Sequence, residues 1–175
     1  LVSSYSIPMA VSKVVSSKLA VHQYRNAHKV FKCALMYVLV VGGIASLITF
    51  FGASILIPSN QPKAIPVLRI LAPTIFFSGF LGVFRGYFQA YRNMMPTSIS
   101  QIIEQVFNAV VSIVGASVLF GIGTKAGEKS GEELLGPAYG AAGSTLGTVV
   151  GSLSGLLFLL FVIFLYKNVI RKQLK

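Results

Sequence analysis

The stretch from residue 82 to residue 105, GVFRGYFQAYRNMMPTSISQIIEQ, decides how the chain folds. Two apolar segments meet here at a short turn, Tyr91 to Met95, so we expect an antiparallel hairpin of two helices. Arg85 and Glu104 are equidistant from the point between Met94 and Met95, within that turn, and equidistant positions in such a hairpin lie at the same depth. The two side chains are therefore predicted to meet. A charge inside a segment apolar enough to cross a bilayer is costly unless it is paired or hydrated, which makes both residues functional candidates.

The composition indicates a membrane protein. Of the 175 residues, 54% are hydrophobic and only 11% are charged, whereas soluble domains carry roughly 25% charged residues. The net charge is +11, from 15 Lys and Arg against 4 acids. In a soluble protein this surplus would indicate nucleic-acid binding. Here the bases are concentrated in particular loops, so we expect the bilayer as the partner and no nucleic acid.

Hydropathy and helix-breaking residues predict an all-α fold, a polytopic bundle of transmembrane helices. A partial helix comes first, and four complete helices follow; their ranges are 1–15, 33–57, 66–91, 96–121 and 138–166. Residues 16–32 are expected to form a basic, partly amphipathic connector, suited to an in-plane segment at an anionic membrane face. Residues 122–136 are expected to form a Gly-rich polar loop.

The distribution of bases predicts the orientation. The basic connections are residues 16–32, the turn at 92–95 and the tail at 167–175, and they alternate with connections that are poorly basic or slightly acidic. The positive-inside rule places the basic group in the cytoplasm. The hairpin turn is then cytoplasmic, with Arg85 and Glu104 about 10 Å in from that side.

Polar residues follow one face of each arm of the hairpin. On the second arm Gln101, Glu104 and Asn108 recur at helical spacing, and on the first arm Gln89 follows Arg85 by one turn. Two interpretations are open: these side chains line a water-filled cavity or gate, or they only hold the two helices together. The candidate residues for a cavity or gate are Arg85, Glu104, Gln89, Gln101, Asn108 and Arg69. For Arg69, at the opposite membrane face, the alternatives are a snorkelling interfacial base and an outer-side anion contact.

Small residues predict close helix packing in two places. Gly143, Gly147, Gly151 and Gly155 repeat at every fourth position of the last helix, forming a groove that a neighbouring helix can approach closely. The alternative for this groove is a sliding surface in a conformational change. Gly42, Ser46, Thr49 and Ala53 form a similar face on the first complete helix.

The sequence lacks the usual motifs of an enzyme. It has no nucleophile–base set, no Cys and His at metal-ligand spacing and no GxxxxGK[ST] phosphate loop. We therefore expect no catalytic residues, no metal site and no cofactor.

Two motifs resemble a known family. The segment FRGYFQAYRNMMPTSISQIIEQ, residues 84–105, closely resembles the signature of bacterial polysaccharide-biosynthesis and stage V sporulation protein B-like membrane proteins. These belong to the multidrug/oligosaccharidyl-lipid/polysaccharide exporter superfamily. The segment SIPMAVSK, residues 6–13, resembles the end of that family's second helix.

The resemblance implies that the chain is a piece of a longer protein, covering about helices two to six of fourteen and part of the N-terminal lobe. It implies two pseudo-symmetric lobes around a central cavity with alternating access, so the remaining helices would be partners of this piece. It further implies a lipid-linked oligosaccharide as cargo, above all the undecaprenyl-pyrophosphate peptidoglycan precursor lipid II, moved across the bacterial cytoplasmic membrane.

Two other functions remain open. One is an ion-coupled multidrug exporter of the same superfamily, which would be expected to hold an acid ready for a cationic drug. The other is a membrane scaffold for cell-wall or spore assembly that transports nothing. The basic charge surplus, and the pairing of Glu104 with Arg85, favour an anionic cargo.

Overall fold

The computed structural model of the protein describes residues 2–57, 65–130 and 135–173, and every element in those ranges is a helix. In chain order the helices are α1 (Val2–Ala20), α2 (Tyr24–Leu56), α3 (Ile65–Ala90), α4 (Met95–Ser130) and α5 (Leu135–Gln173). Among the described residues, four segments are long and apolar enough to cross a membrane: Tyr24–Ala53, Ile65–Ala90, Met95–Glu128 and Leu135–Tyr166. The predicted fold class, an all-α polytopic bundle, is therefore confirmed.

α2 begins well before the predicted start at residue 33. It is one continuous helix of 33 residues from Tyr24, so residues 24–32 extend the axis of the membrane span. They do not form the in-plane segment predicted for the connector 16–32, whose first residues belong to α1. The apolar stretch after residue 33 marks where the hydrocarbon can begin. The helix nevertheless starts nine residues before this stretch, at Tyr24, because residues such as Ala27 and Lys29 are good helix formers.

The Gly-rich loop predicted over residues 122–136 is largely helical, because α4 continues to Ser130 and α5 begins at Leu135. The two helix ends pack closely. A Cβ atom on Gly123 would lie 2.7 Å from the carbonyl oxygen of Leu135 and 3.0 Å from the Cα atom of Gly136. Glycine weakens an isolated helix, but here it lets α4 and α5 approach each other, and that packing extends both helices.

α3 lies at the centre of the bundle. It packs against α1, α2 and α5 but has little contact with α4, although α4 follows it directly in the chain. Its residues Leu81, Val83 and Phe84 belong to the buried apolar core, together with Val15 of α1 and Leu159 of α5. The hairpin arms are thus joined at their turn and separated elsewhere, and α5 packs against both of them.

α2 runs antiparallel to α3. The ring of Phe31 packs against that of Tyr87, with centroids 4.3 Å apart, and the Ser46 hydroxyl donates a 2.9 Å hydrogen bond to the carbonyl of Ala72. Ser46 belongs to the small-residue face predicted on this helix, and that face packs against α3. The α1–α2 turn and the α3–α4 turn consequently lie at the same end of the bundle.

α1 packs against α3 through glycine. Pro8 of α1 is buried, and a Cβ atom on Gly86 of α3 would lie 2.6 Å from the Pro8 carbonyl oxygen and 2.9 Å from the Cβ of Val11. Ile7 lies in the same way beside Gly82, one turn earlier on α3. α1 and α3 therefore run parallel, and α1 ends at the same end of the bundle as α3.

The hairpin turn is closed by a left-handed residue, Arg92, whose φ angle is 58°. The amide of Asn93 donates to the carbonyl of Phe88 (3.2 Å), and the amide of Arg92 donates to that of Gln89 (2.9 Å). This is the Schellman pattern, which ends a helix by satisfying its last carbonyls. It reverses the chain into α4, whose first turn contains Pro96.

Candidate functional site: an ion pair at the junction of three helices

Arg85 of α3 and Glu104 of α4 form an ion pair, as their spacing predicts. Arg85 Nη2 lies 2.6 Å from Glu104 Oε2. Only 14% of the Arg85 side chain and 22% of the Glu104 side chain are exposed. A hydrogen bond between two charged groups is roughly twice as strong as a neutral one, so this contact fastens the two arms near their turn.

Ser100 is a third member of the site, and sequence reasoning missed it. Its hydroxyl donates to the carbonyl of Thr97 (2.7 Å) and accepts a 3.1 Å hydrogen bond from Arg85 Nε. The Ser100 side chain is fully buried. Its position one turn before Glu104 was the signal that could have identified it, since residues four apart on a helix share a face.

α5 completes the junction because Gly155 has no side chain. A Cβ atom there would lie 3.3 Å from the Ser100 carbonyl oxygen, 3.4 Å from the Glu104 Cβ and 3.5 Å from Leu81 of α3. The ion pair thus lies where α3, α4 and α5 meet, and a movement of any of these helices would disturb it.

Beyond the ion pair, the polar face of α4 packs against α5. A Cβ atom on Gly151 of α5 would lie 2.9 Å from the Cβ of Asn108. The Ser112 hydroxyl contacts the side-chain oxygen of Asn108 (3.0 Å) and the carbonyl of Ser144 on α5 (2.8 Å). Asn108 therefore packs against α5. The reason is the glycine groove of α5, which α4 occupies along its length.

The four glycines of that groove each face a particular part of α4. Gly143 contacts Gly115, Gly147 contacts Ser112, Gly151 contacts Glu104 and Asn108, and Gly155 contacts Ser100 and Glu104. In the described structure the groove is a packing surface. Its last two glycines, Gly151 and Gly155, pack against Glu104 of the ion pair.

The other candidates lie at different places around the pair. Gln89 is half-buried one turn from Arg85 on α3, and Gln101 is exposed on α4. Arg69 is exposed, and its guanidinium carbon lies 6.0 Å from the ring centroid of Phe50 on α2. Arg69 is about 24 Å from Arg85 along α3, so it is not part of the same site.

The comparison with known families bears on the hairpin directly. The family profile of MatE matches residues 1–114, the greater part of the chain. The chain belongs to the MatE family. No curated protein and no solved structure gives a significant match. The MatE match includes α1, α2, α3 and the first part of α4, and with them both members of the ion pair.

MatE membership identifies the protein as a multi-pass membrane transporter of the exporter superfamily that the hairpin motif resembles. The ion pair thus lies in the part of the chain that carries the family match. Most of α4's second half and all of α5 lie outside the matched residues, so the glycine groove is a feature of this chain beyond the match.

An apolar cavity of about 480 Å³ lies at the other end of the hairpin from the pair. It opens between α3, α4 and α5 where the two arms have separated, and it is lined by Pro66, Ile70, Leu119, Leu135, Ala138, Tyr139 and Ala142. Its lining contains none of the predicted cavity residues. An apolar space of this kind suits hydrocarbon, whereas the polar chemistry of this MatE chain is concentrated at the ion pair.

Proposed function

We propose that the protein is part of a flippase that moves a lipid-linked glycan across the bacterial cytoplasmic membrane by alternating access. The cargo we favour is an undecaprenyl-pyrophosphate glycan, with the peptidoglycan precursor lipid II as the first candidate. The MatE match indicates a transporter but not its cargo. The choice of this cargo is supported by the hairpin motif and by the chemistry of the ion pair. The remaining helices of the full-length protein would complete the cavity, with this chain in the N-terminal lobe.

The observation that carries the proposal is that Glu104 is already paired with Arg85. Among the described residues it is the acid that lies well inside a membrane span, and Arg85 already neutralises it at 2.6 Å. A transporter of cationic drugs needs an acid that is available to the drug. A guanidinium can bind the oxygens of a phosphate in two-point geometry, so Arg85 is suited to an anionic pyrophosphate.

The geometry of the pair supplies a mechanism for coupling cargo to movement. Arg85 holds α4 only through Glu104 and Ser100, and α3 and α4 have little other contact. In our proposal the pyrophosphate competes with Glu104 for Arg85. Releasing that contact frees the two arms to separate near their turn, while Gln89 and Gln101 offer hydrogen bonds to the sugar or phosphate oxygens. The polyprenyl tail stays in the lipid.

Two other functions remain as alternatives. An ion-coupled multidrug exporter is compatible with the MatE family and would require Glu104 to be released from Arg85 for its cation. A scaffold for cell-wall or spore assembly would need no cargo contact, and its activity would survive loss of the pair so long as the protein is made.

Complementation tests the proposal. The full-length protein is expressed in a strain depleted of its peptidoglycan-precursor flippase, beside an Arg85→Gln variant and a Lys125→Gln control whose exposed base lies near the far end of α4. We expect rescue by the parent and by Lys125→Gln, and none by Arg85→Gln at equal protein level. Failure of the parent to rescue, together with increased resistance to cationic drugs, would favour the exporter instead.

A further inference from the structure

Bases from three helices gather at one end of the bundle. The end of α1, the start of α2 and the end of α3 lie together there, because Phe31 packs on Tyr87 and Pro8 on Gly86. We call the exposed or half-exposed bases at this place the basic end; they are Lys18, Arg25, Lys29, Lys32 and Arg92.

No acid of the described residues neutralises the basic end. The sequence has 4 acids. Glu104 is committed to Arg85, and Glu128 lies at the opposite end of α4. The last two, Glu132 and Glu133, follow Glu128 in the sequence, outside the described residues. An uncompensated cluster of this kind needs anions from elsewhere.

Three of these bases lie within about 12 Å of the start of the charge-free stretch along the axis of α2. α2 has 33 residues and is therefore about 50 Å long, whereas the hydrocarbon core is about 30 Å thick. The charge-free stretch that begins at Cys33 occupies the hydrocarbon, so the turns before it emerge into the headgroup layer. Arg25, Lys29 and Lys32 recur at helical spacing on those turns, and all three are exposed.

The start of α2 adds its own attraction for anions. Its first turn contains no acid, and Gln23 before it forms no side-chain cap. The amide groups at a helix start carry partial positive charge and bind phosphate oxygens when no side chain caps them. The dipole and the basic side chains thus act on the same space.

We infer that the basic end is a binding site for anionic phospholipid headgroups, with Arg25, Lys29 and Lys32 as its main contacts. The bound lipids hold the α1–α2 turn at the membrane surface and fix how far α2 emerges from the hydrocarbon. Bilayer lipids are the occupant that the geometry favours over other polyanions, because the bases follow directly on the transmembrane stretch. This inference is independent of the cargo proposed above.

The test is lipid titration of the purified full-length protein, read by native mass spectrometry. The probes are phosphatidylglycerol and phosphatidylcholine with the same acyl chains. The double variant Arg25→Gln/Lys29→Gln is matched with Lys125→Gln/Lys129→Gln, which removes the same number of charges from the other end. A base near an anionic surface contributes about fivefold in affinity. We therefore expect Arg25→Gln/Lys29→Gln to lose roughly 30-fold in phosphatidylglycerol affinity and the matched variant to keep its affinity.

Two further measurements keep the test informative if the variant is unstable. The preference of the parent for phosphatidylglycerol should disappear at high salt, because exposed charges are then screened, and Arg25→Lys should bind as the parent does. Equal affinity of the parent for both lipids would overturn the inference. So would an equal loss in the two double variants, since net charge alone would then explain binding.

Discussion

Gly143 of α5 lies directly against Gly115 of α4, with no room for a side chain between the two backbones. A Cβ atom on Gly143 would overlap the carbonyl group of Gly115 and lie 2.8 Å from the amide nitrogen of Ala116. Backbone atoms cannot rotate away as a side chain can. The contact therefore sets the distance between α4 and α5 near the middle of the membrane.

Replacement of Gly143 should separate these helices. We expect Gly143→Ala to lower the free energy of unfolding by about 1–3 kcal/mol, the usual cost of overpacking a tight contact. The matched control is Gly121→Ala on α4, where an added Cβ would have nothing within 4 Å; alanine there should be neutral or slightly stabilising. Thermal unfolding in detergent measures both variants. A Gly143→Ala protein as stable as the parent would mean that α4 does not occupy the groove.

The hydrogen bond between Ser46 and Ala72 should contribute to the α2–α3 contact. Loss of the hydroxyl in Ser46→Ala removes a 2.9 Å interhelical bond, and such bonds in membrane proteins contribute about 0.6 kcal/mol. Ser117→Ala is the matched control, because the Ser117 hydroxyl is exposed and bonds only to its own helix at Ile113. Unfolding in the same detergent should show a larger loss for Ser46→Ala. Equal losses would indicate that the interhelical bond contributes nothing specific.

Several contacts follow from sequence spacing alone. The hairpin symmetry places Arg85 opposite Glu104, and the four-residue repeat of glycines gives α5 a groove that a helix can enter. Both inferences use only the period of the helix and the position of a turn. They succeed because a turn between Tyr91 and Met95 leaves few ways to arrange the arms that follow it.

Other features depend on contacts between helices that local sequence patterns do not predict. Asn108 shares a helical face with Glu104, and α5 packs against that face. The sequence of α4 does not predict which helix packs there. The helical end of α4 is not predictable from local sequence for a similar reason. Gly123 reads as a loop residue locally, and only its contact with Leu135 across the next connection explains the helix. Long-range contacts override local preference in both cases.

The orientation of the bundle can be tested at the two ends of α4. Met94 is 64% exposed and lies in the basic turn, and Glu128 is exposed near the other end. In a Cys33→Ser background we expect Glu128→Cys to react with a membrane-impermeant maleimide in intact cells. Met94→Cys should react only after permeabilisation, because the positive-inside rule predicts a cytoplasmic position for the basic turn. Both should react in detergent; the reverse order in cells would show the opposite orientation.

Exchange of the two charges separates support of the fold from contact with cargo. Arg85→Ala and Glu104→Ala should each lower the free energy of unfolding by about 2 kcal/mol, because each leaves the other charge without its charged hydrogen bond. The exchanged variant Arg85→Glu/Glu104→Arg restores an ion pair between α3 and α4 and leaves the net charge of the protein unchanged. We expect it to recover most of the stability in detergent, measured beside the single variants.

We expect the exchanged variant to remain inactive in transport even though its stability is restored. In the exchanged variant the guanidinium is on α4, and the 3.1 Å bond that orients Arg85 on Ser100 is lost. If Arg85 binds the pyrophosphate, the exchanged protein folds but does not rescue the flippase-depleted strain. If the exchanged protein rescues as the parent does, the pair only holds α3 to α4, and the cargo must bind elsewhere in the full-length protein.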